Sequence, residues 1–224
     1  MTPRSEITDL EKWENWRSQT VAERHAFYLE QAGHLKSPRV IEAFQEIDRA
    51  DFLRPKDMHL SMVDMPIPIG HEQTNSQPTL VAEMLGLLDV EPGHRVLDVG
   101  TGSGWTTALL GRLAGEGGVV RGIERVPELA DRTKVNLGKY RGMERIRIRQ
   151  SEELDACRDD GPFDRILVSA SAEELPGKLT EQLAEDGRIV LPIRKALMVG
   201  ERRNGEVDVR SVAKGVDFVP LIVS

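Results

Sequence analysis

The sequence predicts an α/β fold with a doubly wound, mostly parallel seven-stranded sheet, a C-terminal antiparallel hairpin and an N-terminal helical extension. Three observations predict it. Apolar, strand-like runs alternate with helical stretches from residue 80 onward. Asn204-Gly205, the strongest short-range hairpin signal, separates the last two of these runs. The first 60 residues show helical rather than alternating spacing of apolar side chains.

The N-terminal extension, residues 1–60, is predicted to pack on a core formed by residues 61–224. Thr20 and Glu23 form a capping box, which marks the start of a helix. No stretch rich in Gly, Ser or Pro separates the extension from the core, so we expect one domain overall. Further apolar residues recur near the start of the chain at three-residue spacing: Ile7, Leu10, Trp13 and Trp16.

The elements of the core follow in order. Residues 65–78 are rich in turn-forming residues and are predicted to be an irregular loop, and a helix is expected from Leu80 to Leu88. The predicted strands cover residues 95–99, 119–123, 146–148, 163–169 and 188–193. The predicted helices between them lie near residues 105–115, 127–140 and 176–185. The hairpin strands are predicted over residues 196–202 and 207–212.

Two of the predicted strands have contrasting patterns. Residues 145–149 alternate Arg and Ile, which is typical of a strand at the edge of a sheet. Residues 166–168 form a continuous apolar run, which is typical of a strand buried on both faces. We therefore expect the first strand at the sheet edge and the second at its centre.

Composition restricts the class of protein. The 224 residues carry a formal net charge of −7, which disfavours a general nucleic-acid binder. The longest stretch without a charged residue, residues 99–111, is shorter than the roughly 18 residues that span a bilayer. The five histidines lack metal-ligand spacing, so no metal site is expected. The single cysteine, Cys157, and the lack of a signal-peptide pattern favour a cytoplasmic protein.

The most informative segment is residues 96–104, in which an apolar strand runs into three alternate glycines before a helix. Such glycines let a ligand approach the backbone closely, and the helix N-terminus offers free N–H donors. The third glycine of a dinucleotide motif is missing, because Trp105 or Thr107 occupies its position. Glu124 ends the next predicted strand, where a carboxylate can accept hydrogen bonds from a ribose. A nucleoside ligand is therefore favoured.

The pattern Asp98-x-Gly100-x-Gly102-x-Gly104, followed by Glu124, resembles the cofactor signature of class I methyltransferases, which bind S-adenosylmethionine. The loop at residues 65–78 indicates which family of methyltransferases the sequence resembles. Its segments Pro66-Ile67-Pro68-Ile69-Gly70 and Gln73-Thr74-Asn75-Ser76-Gln77-Pro78 are similar to those of protein-L-isoaspartate O-methyltransferases. Arg49-Ala50-Asp51-Phe52 and Phe218-Val219-Pro220-Leu221 also resemble this family, so the resemblance covers about residues 21–222.

The resemblance implies methyl transfer from S-adenosylmethionine to the carboxylate of isoaspartyl residues in damaged proteins or peptides. It gives Ser76 the catalytic role of orienting that carboxylate. It implies cofactor contacts by Thr74, Ser76, Asp98, Gly100, Thr101, Gly102, Ser103, Glu124, Arg125, Ser151 and Glu152, and substrate contacts by Ile69, Ala170 and Val219. The expected partner is a protein or peptide bearing isoaspartate, with no nucleic acid and no membrane, and the expected state is a monomer.

The sequence also departs from the family pattern. Ser151-Glu152-Glu153 stands where Gly-Asp-Gly is usual, Asn75 replaces an aliphatic residue, and Glu173 replaces a proline. Two alternatives therefore remain: a member that methylates another peptide carboxylate, and a cofactor-binding module without turnover. A helix-capping role for Ser76 also remains open. A nucleic-acid methyltransferase is disfavoured because residues 169–172 lack the Asn/Asp-Pro-Pro-aromatic motif.

Overall fold

The computed structural model describes residues 19–222, so the predicted helical residues Ile7, Leu10, Trp13 and Trp16 lie outside the described residues. Residues 19–60 are helical as expected. Helix α1 (Val21–Gln31) begins at the predicted capping box, in which the Glu23 amide donates to Thr20 Oγ1 at 3.1 Å and the Thr20 amide donates to Glu23 Oε2 at 2.6 Å. It is followed by α2 (Pro38–Glu46) and by the 3-10 helices Arg49–Phe52 and Pro55–Leu60.

The rest of the described chain has the alternating order of an α/β fold. Its elements are β1 (Ile67–Gly70), β2 (Gln73–Asn75), α3 (Pro78–Leu88), β3 (Arg95–Val99), α4 (Trp105–Ala114), β4 (Val119–Glu124), α5 (Pro127–Leu137), β5 (Arg147–Gln150), β6 (Phe163–Val168), α6 (Gly177–Thr180), β7 (Leu183–Ile193), β8 (Ala196–Arg203) and β9 (Glu206–Lys214).

Within residues 19–222, seven strands form one sheet in the order β5-β4-β3-β6-β7-β8-β9. The pairs from β5 to β7 are parallel, and β7, β8 and β9 pair antiparallel. Asn204 and Gly205 join β8 to β9 with positive φ at both residues, as the hairpin signal predicts. The predicted fold class is confirmed. The edge position of β5 and the central position of β6 are confirmed as well, and β9 forms the other edge.

The segment predicted as an irregular loop contains a small antiparallel hairpin, so that prediction was wrong. Strands β1 and β2 pair Ile67 with Asn75 and Pro68 with Thr74. His71 and Glu72 turn the chain with φ values of 53° and 59°. Two consecutive positive φ values are what a type I′ turn requires, but neither residue belongs to the Asn-Gly or Asp-Gly pairs that announce such a turn in a sequence.

The predicted helix at residues 176–185 is also largely wrong. Helix α6 ends at Thr180, and β7 begins at Leu183, which pairs with Phe163. The strand is irregular at Asp186, which has a φ of 60° and precedes Gly187. This irregularity interrupts the apolar alternation, which is why the first part of the strand escapes a pattern search.

The N-terminal helices share a hydrophobic core with the sheet. Leu29, Val40 and Phe44 belong to the same buried cluster as Trp105 in α4 and Val96 in β3. The rings of Phe44 and Trp105 meet edge to face with centroids 5.6 Å apart. The division at residues 60 and 61 stays a prediction, and this shared core supports one cooperative unit. None of the helices between residues 19 and 222 is both long and apolar enough to cross a bilayer.

The shared core makes a stability prediction. Phe44→Ala should lower the free energy of unfolding by about 3–5 kcal/mol, because it empties a buried site between α2 and α4. Urea unfolding followed by tryptophan fluorescence and by circular dichroism should still give one coincident transition. Two separate transitions, with only the first one shifted, would show that residues 19–60 fold as their own unit.

Candidate active site

The loop between β3 and α4 is a cradle of backbone groups. Gly100, Gly102 and Gly104 have φ values of 85°, 58° and 96°, in the left-handed region that favours glycine. A Cβ at Gly104 would lie 2.9 Å from Thr133 Cγ2, so this glycine is also required by the packing of α5. The loop therefore turns sharply at the carboxyl end of β3 and leads into the N-terminus of α4, where donor N–H groups are free.

Glu124 closes one side of this loop. The Gly102 amide donates to its Oε2 at 2.8 Å, and the Val126 amide donates to its Oε1 at 2.9 Å. The carboxylate is buried but lines the cavity described below. Each carboxylate oxygen has a second lone pair, so Glu124 can accept further hydrogen bonds from a ligand hydroxyl.

Asp98 lies beneath the glycine loop rather than in the cavity lining. It is fully buried, and Thr107 Oγ1 donates to its Oδ2 at 2.6 Å. Its Oδ1 has no hydrogen-bond partner within residues 19–222. Burial raises the pKa of Asp98 to about 7, the Thr107 hydrogen bond opposes the rise, and the nearby Glu124 carboxylate adds to it.

Helix α5 supports the same loop from behind. Thr133 Oγ1 donates to the Gly102 carbonyl at 3.0 Å, and Asn136 Nδ2 donates to the Ser103 carbonyl at 2.9 Å. Arg132 Nη1 donates to the Ile69 carbonyl at 2.6 Å, which attaches β1 to the same helix. One helix therefore positions both the glycine loop and the hairpin that carries residues 73–75.

A cavity of about 730 Å³ opens above the glycine loop, within the size range of small-molecule sites. It brings together distant segments of the chain. Among these are the loop after β3, the ends of β4 and β5, the residues after β6, the hairpin region at residues 73–77, one face of α3, and the C-terminal segment at residues 215–222. The Ser171 amide donates to the Val219 carbonyl at 2.8 Å, which fixes the last of these walls.

Arg49 holds the hairpin region in place from inside the protein. Its guanidinium donates to the carbonyls of Asn75 and Ser76 at 3.3 and 2.9 Å and to Asn75 Oδ1 at 2.8 Å. Three more acceptors are the carbonyls of Ser61, Val63 and Met65, at distances of 3.2, 2.9 and 2.8 Å. Its Cζ also lies 5.2 Å from the centroid of the Trp105 ring.

The Arg49 guanidinium is a buried cation that forms no ion pair among the described residues. Burial lowers its pKa to about 10, and the more distant Asp64 carboxylate opposes this. It therefore stays protonated at neutral pH. Carbonyl oxygens take the place of a carboxylate, and five of them from residues 61–76 converge on this one group.

Asn75, the residue that replaces an aliphatic one in the resembling family, is part of this network. Its Oδ1 accepts from Arg49 Nε at 2.8 Å, and its Nδ2 donates to Ser103 Oγ at 3.4 Å. Both Asn75 and Ser103 are buried. The side chain therefore links the hairpin region directly to the glycine loop.

Ser76, the next residue in the chain after Asn75, lines the cavity. Its carbonyl accepts from Arg49 Nη2, and its hydroxyl has no hydrogen-bond partner among residues 19–222. The N-cap of α3 is Gln77, whose side chain does not cap the helix, and the Thr79 amide in the first turn donates to Asp64 Oδ1 at 3.0 Å. The helix-capping role for Ser76 is therefore excluded, and its hydroxyl remains available to a ligand.

The other candidate residues divide into two groups. Ile69 packs against Val126 and Leu129 in a small buried cluster and does not line the cavity. Glu173 is exposed and lies 3.6 Å from Arg194, so its charge is directed to solvent rather than to the cavity. Most candidates do line the cavity: Thr74, Gly100, Thr101, Gly102, Ser103, Arg125, Ser151, Glu152, Ala170 and Val219.

Arg49 was not predicted as a functional residue, although the segment Arg49-Ala50-Asp51-Phe52 is one of those that resemble the family. An arginine followed by Ala50 and Asp51 reads as an exposed, charged turn. The signal that could have identified it is local: Phe52 and Ala50 are apolar residues within a turn, which indicates that the turn is buried.

The sheet order, with an antiparallel hairpin at one end and a glycine loop followed by an acidic strand end, defines a class I methyltransferase fold. Comparison with known structures agrees. A Plasmodium falciparum protein described as a protein-L-isoaspartate O-methyltransferase, solved with S-adenosyl-L-homocysteine, superposes with a TM-score of 0.80 and 26% identity. The match covers 91% of this chain and 99% of that one.

Comparison of sequences identifies the family. The model of the protein-L-isoaspartate(D-aspartate) O-methyltransferase family matches residues 22–224. A protein-L-isoaspartate O-methyltransferase of Anaeromyxobacter dehalogenans is 42% identical over 196 residues, covering 84% of this chain and 92% of the relative. One from Pyrococcus horikoshii is 35% identical over 96% of both chains. The chain belongs to this family of enzymes, as its sequence motifs indicate.

The Arg49 network makes a prediction. Arg49→Lys should lower the free energy of unfolding by about 2–4 kcal/mol, because one ammonium has three donors and leaves buried carbonyls unsatisfied. Urea denaturation provides the measurement. Arg54→Lys is the matched control, since Arg54 forms a partly exposed pair with Asp57 and should change stability by less than about 0.5 kcal/mol. Equal effects of the two variants would contradict the proposed importance of the network.

Asp98 makes a prediction about pH. Its pKa is higher in the folded protein than in the unfolded chain, so the folded state binds more protons between pH 4 and 7 and loses stability as pH rises. From pH 5 to 8 this loss should amount to roughly 2–3 kcal/mol. Asp98→Asn should remove it, so the difference in unfolding free energy between variant and parent should change with pH by that amount. If the unfolding free energies of variant and parent change equally with pH, the raised pKa of Asp98 is refuted.

Proposed function

We propose that the protein transfers a methyl group from S-adenosylmethionine to the carboxylate of isoaspartyl residues in damaged proteins or peptides. The observation that carries this proposal is the free Ser76 hydroxyl. It stands in the same cavity as the glycine loop, with its backbone fixed by the buried Arg49. Membership of the isoaspartate methyltransferase family supports the same reaction.

The residues around the glycine loop fit the proposed cofactor. The loop leaves room for a ligand against its backbone, and Glu124 offers lone pairs for ribose hydroxyls. Arg125, Ser151 and Glu152 line the neighbouring wall, where the nucleoside base would lie. Glu152 is one methylene longer than the aspartate usual in the family, and its exposure leaves it free to adjust.

The chemistry requires little proton transfer by the protein. S-adenosylmethionine, when bound, supplies a methyl group on a positively charged sulfur. The free carboxyl of an isoaspartyl residue is its α-carboxyl, with a pKa of about 3.3–3.7, so the substrate is already an ionised nucleophile at neutral pH. Alignment of two reactants is worth up to about 7–11 kcal/mol, which leaves orientation as the main task of the chain.

Ser76 is the group that we assign to this orientation. Its hydroxyl would donate to one oxygen of the substrate carboxylate and leave the other oxygen to attack the methyl carbon. Ala170 and Val219 also line the cavity and would contact the substrate backbone. Ile69 would act only indirectly, because it packs beneath the glycine loop.

We also propose that the protein works as a monomer in the cytoplasm. The single cysteine, Cys157, is buried and cannot form an internal disulfide, which is compatible with a reducing compartment.

The test uses two peptides that differ only in whether one residue is isoaspartyl or aspartyl. With S-adenosylmethionine, the isoaspartyl peptide should form a methyl ester, measured by methanol release, and the aspartyl peptide should not. Cofactor binding by calorimetry without any ester would favour a binding module. Transfer to the aspartyl peptide instead would favour another peptide carboxylate as the substrate.

Ser76→Ala should slow methyl transfer by about 10- to 150-fold, the effect of losing one hydrogen bond to a charged group. Affinity for the cofactor, measured by isothermal titration calorimetry, should stay within about threefold of the parent. Ser76→Thr keeps the hydroxyl and should retain most of the activity. Equal rates for the alanine variant and the parent would reject the role of Ser76.

A further inference from the structure

A second cavity, of about 490 Å³, continues from the active-site cavity along helix α3. The two cavities share three lining residues: His34, Thr79 and Glu83. The second cavity extends beyond them to Gly86 and Leu87 near the end of the helix. The two cavities therefore adjoin, and we call the second one the α3 groove.

One wall of the α3 groove is a single face of α3. Thr79, Ala82, Glu83 and Gly86 stand at positions i, i+3, i+4 and i+7 of that helix. Three of the four side chains are small, so the face is flat and leaves space above the helix backbone.

Gly86 is unusual within this face. A glycine inside a helix costs about 1 kcal/mol relative to alanine. No packing contact requires it, because a Cβ built at Gly86 meets no atom within 4 Å. The open space above Gly86 is part of the groove. The absence of a side chain there therefore leaves room for a ligand rather than for another part of the protein.

The opposite wall suits an extended polypeptide. It is formed by the connection between α1 and α2, in which Leu35 to Ser37 have no helical or strand assignment. Ser37 has an extended backbone, with φ −82° and ψ 123°. The amides of Lys36 and Ser37 make no hydrogen bond among residues 19–222. Unpaired amides along an extended segment are the groups that an added peptide chain uses for main-chain pairing.

We propose that the α3 groove binds the polypeptide on one flank of the isoaspartyl residue. This inference rests on the proposed function, since the groove adjoins the active-site cavity at Thr79, three residues along the chain from Ser76. From Thr79 to Gly86 the helix advances about 10 Å, the length of roughly three residues of extended chain. The occupant is therefore an extended segment of about three residues, which an unfolded region of a damaged protein supplies.

The test compares isoaspartyl peptides of different length. Adding about three residues to one flank of a minimal isoaspartyl tripeptide should lower KM by about tenfold, roughly the effect of burying one side chain, whereas the other flank should matter less. Gly86→Trp fills the groove, so the ratio of the KM for the minimal tripeptide to the KM for the extended peptide should fall close to one. Gly86→Ala should keep the ratio.

Val135→Trp is the control for an added indole, because Val135 is an exposed residue of α5 that lines neither cavity. It should leave both KM values as in the parent, and thermal unfolding should confirm that the Gly86 variants are folded. A KM that does not depend on peptide length, or a length effect that survives Gly86→Trp, would overturn the proposal. So would a parent dimer that Gly86→Trp converts to a monomer, since the occupant would then be a second copy of the chain.

Failure of the proposed function is distinguishable from failure of this inference. If no isoaspartyl peptide is methylated, the function is wrong, and the groove is then examined by binding. The fluorescence anisotropy of a labelled long isoaspartyl peptide, with S-adenosyl-L-homocysteine present, should show tighter binding to the parent than to Gly86→Trp. Equal affinities would reject the groove in either case.

Discussion

The hairpin region that lines the cavity, residues 73–77, depends on the buried guanidinium of Arg49. A cation removed from water is stable only when its donors are satisfied, and here five carbonyls of residues 61–76 satisfy it in place of a carboxylate. Each carbonyl belongs to a segment with little regular structure, so the segment and the cation fix each other. The stacking of Phe52 on Tyr140, with centroids 5.8 Å apart, and the 2.6 Å hydrogen bond from Tyr140 to Asp51 hold the turn that carries Arg49.

The glycine loop and the hairpin region share one support. Tyr140 follows helix α5, and the same helix holds the glycine loop through Thr133 and Asn136. Asn75 adds a direct link, because its side chain contacts both Arg49 and Ser103. A displacement of α5 would therefore disturb both regions together. The position of Ser76 relative to the glycine loop is fixed by two connections: the Asn75 side chain and helix α5.

The fold was largely predictable because its core strands and caps have local signals. The glycine pattern, Asn204-Gly205 and the Thr20 capping box each specify geometry within a few residues, and each was confirmed. The hairpin at β1 and β2 was missed because its turn uses His71 and Glu72 at positive φ, where sequence rules expect Gly, Asn or Asp. The start of β7 was missed because the irregularity at Asp186 interrupts the apolar alternation of the strand. Arg49 was missed because its acceptors are backbone carbonyls, and a carbonyl has no signature in a sequence.

The two free edges of the sheet have a consequence for how this enzyme meets other chains. Strand β5 presents the exposed Arg147 and Arg149, and β9 presents the exposed Glu206, Asp208 and Arg210. Charged side chains at sheet edges disfavour the addition of a foreign strand and so protect against aggregation. An enzyme that methylates damaged proteins, as we propose for this one, would meet such strands in unfolded regions of its substrates. With charged edges, it would bind such substrates without pairing with their exposed strands and aggregating.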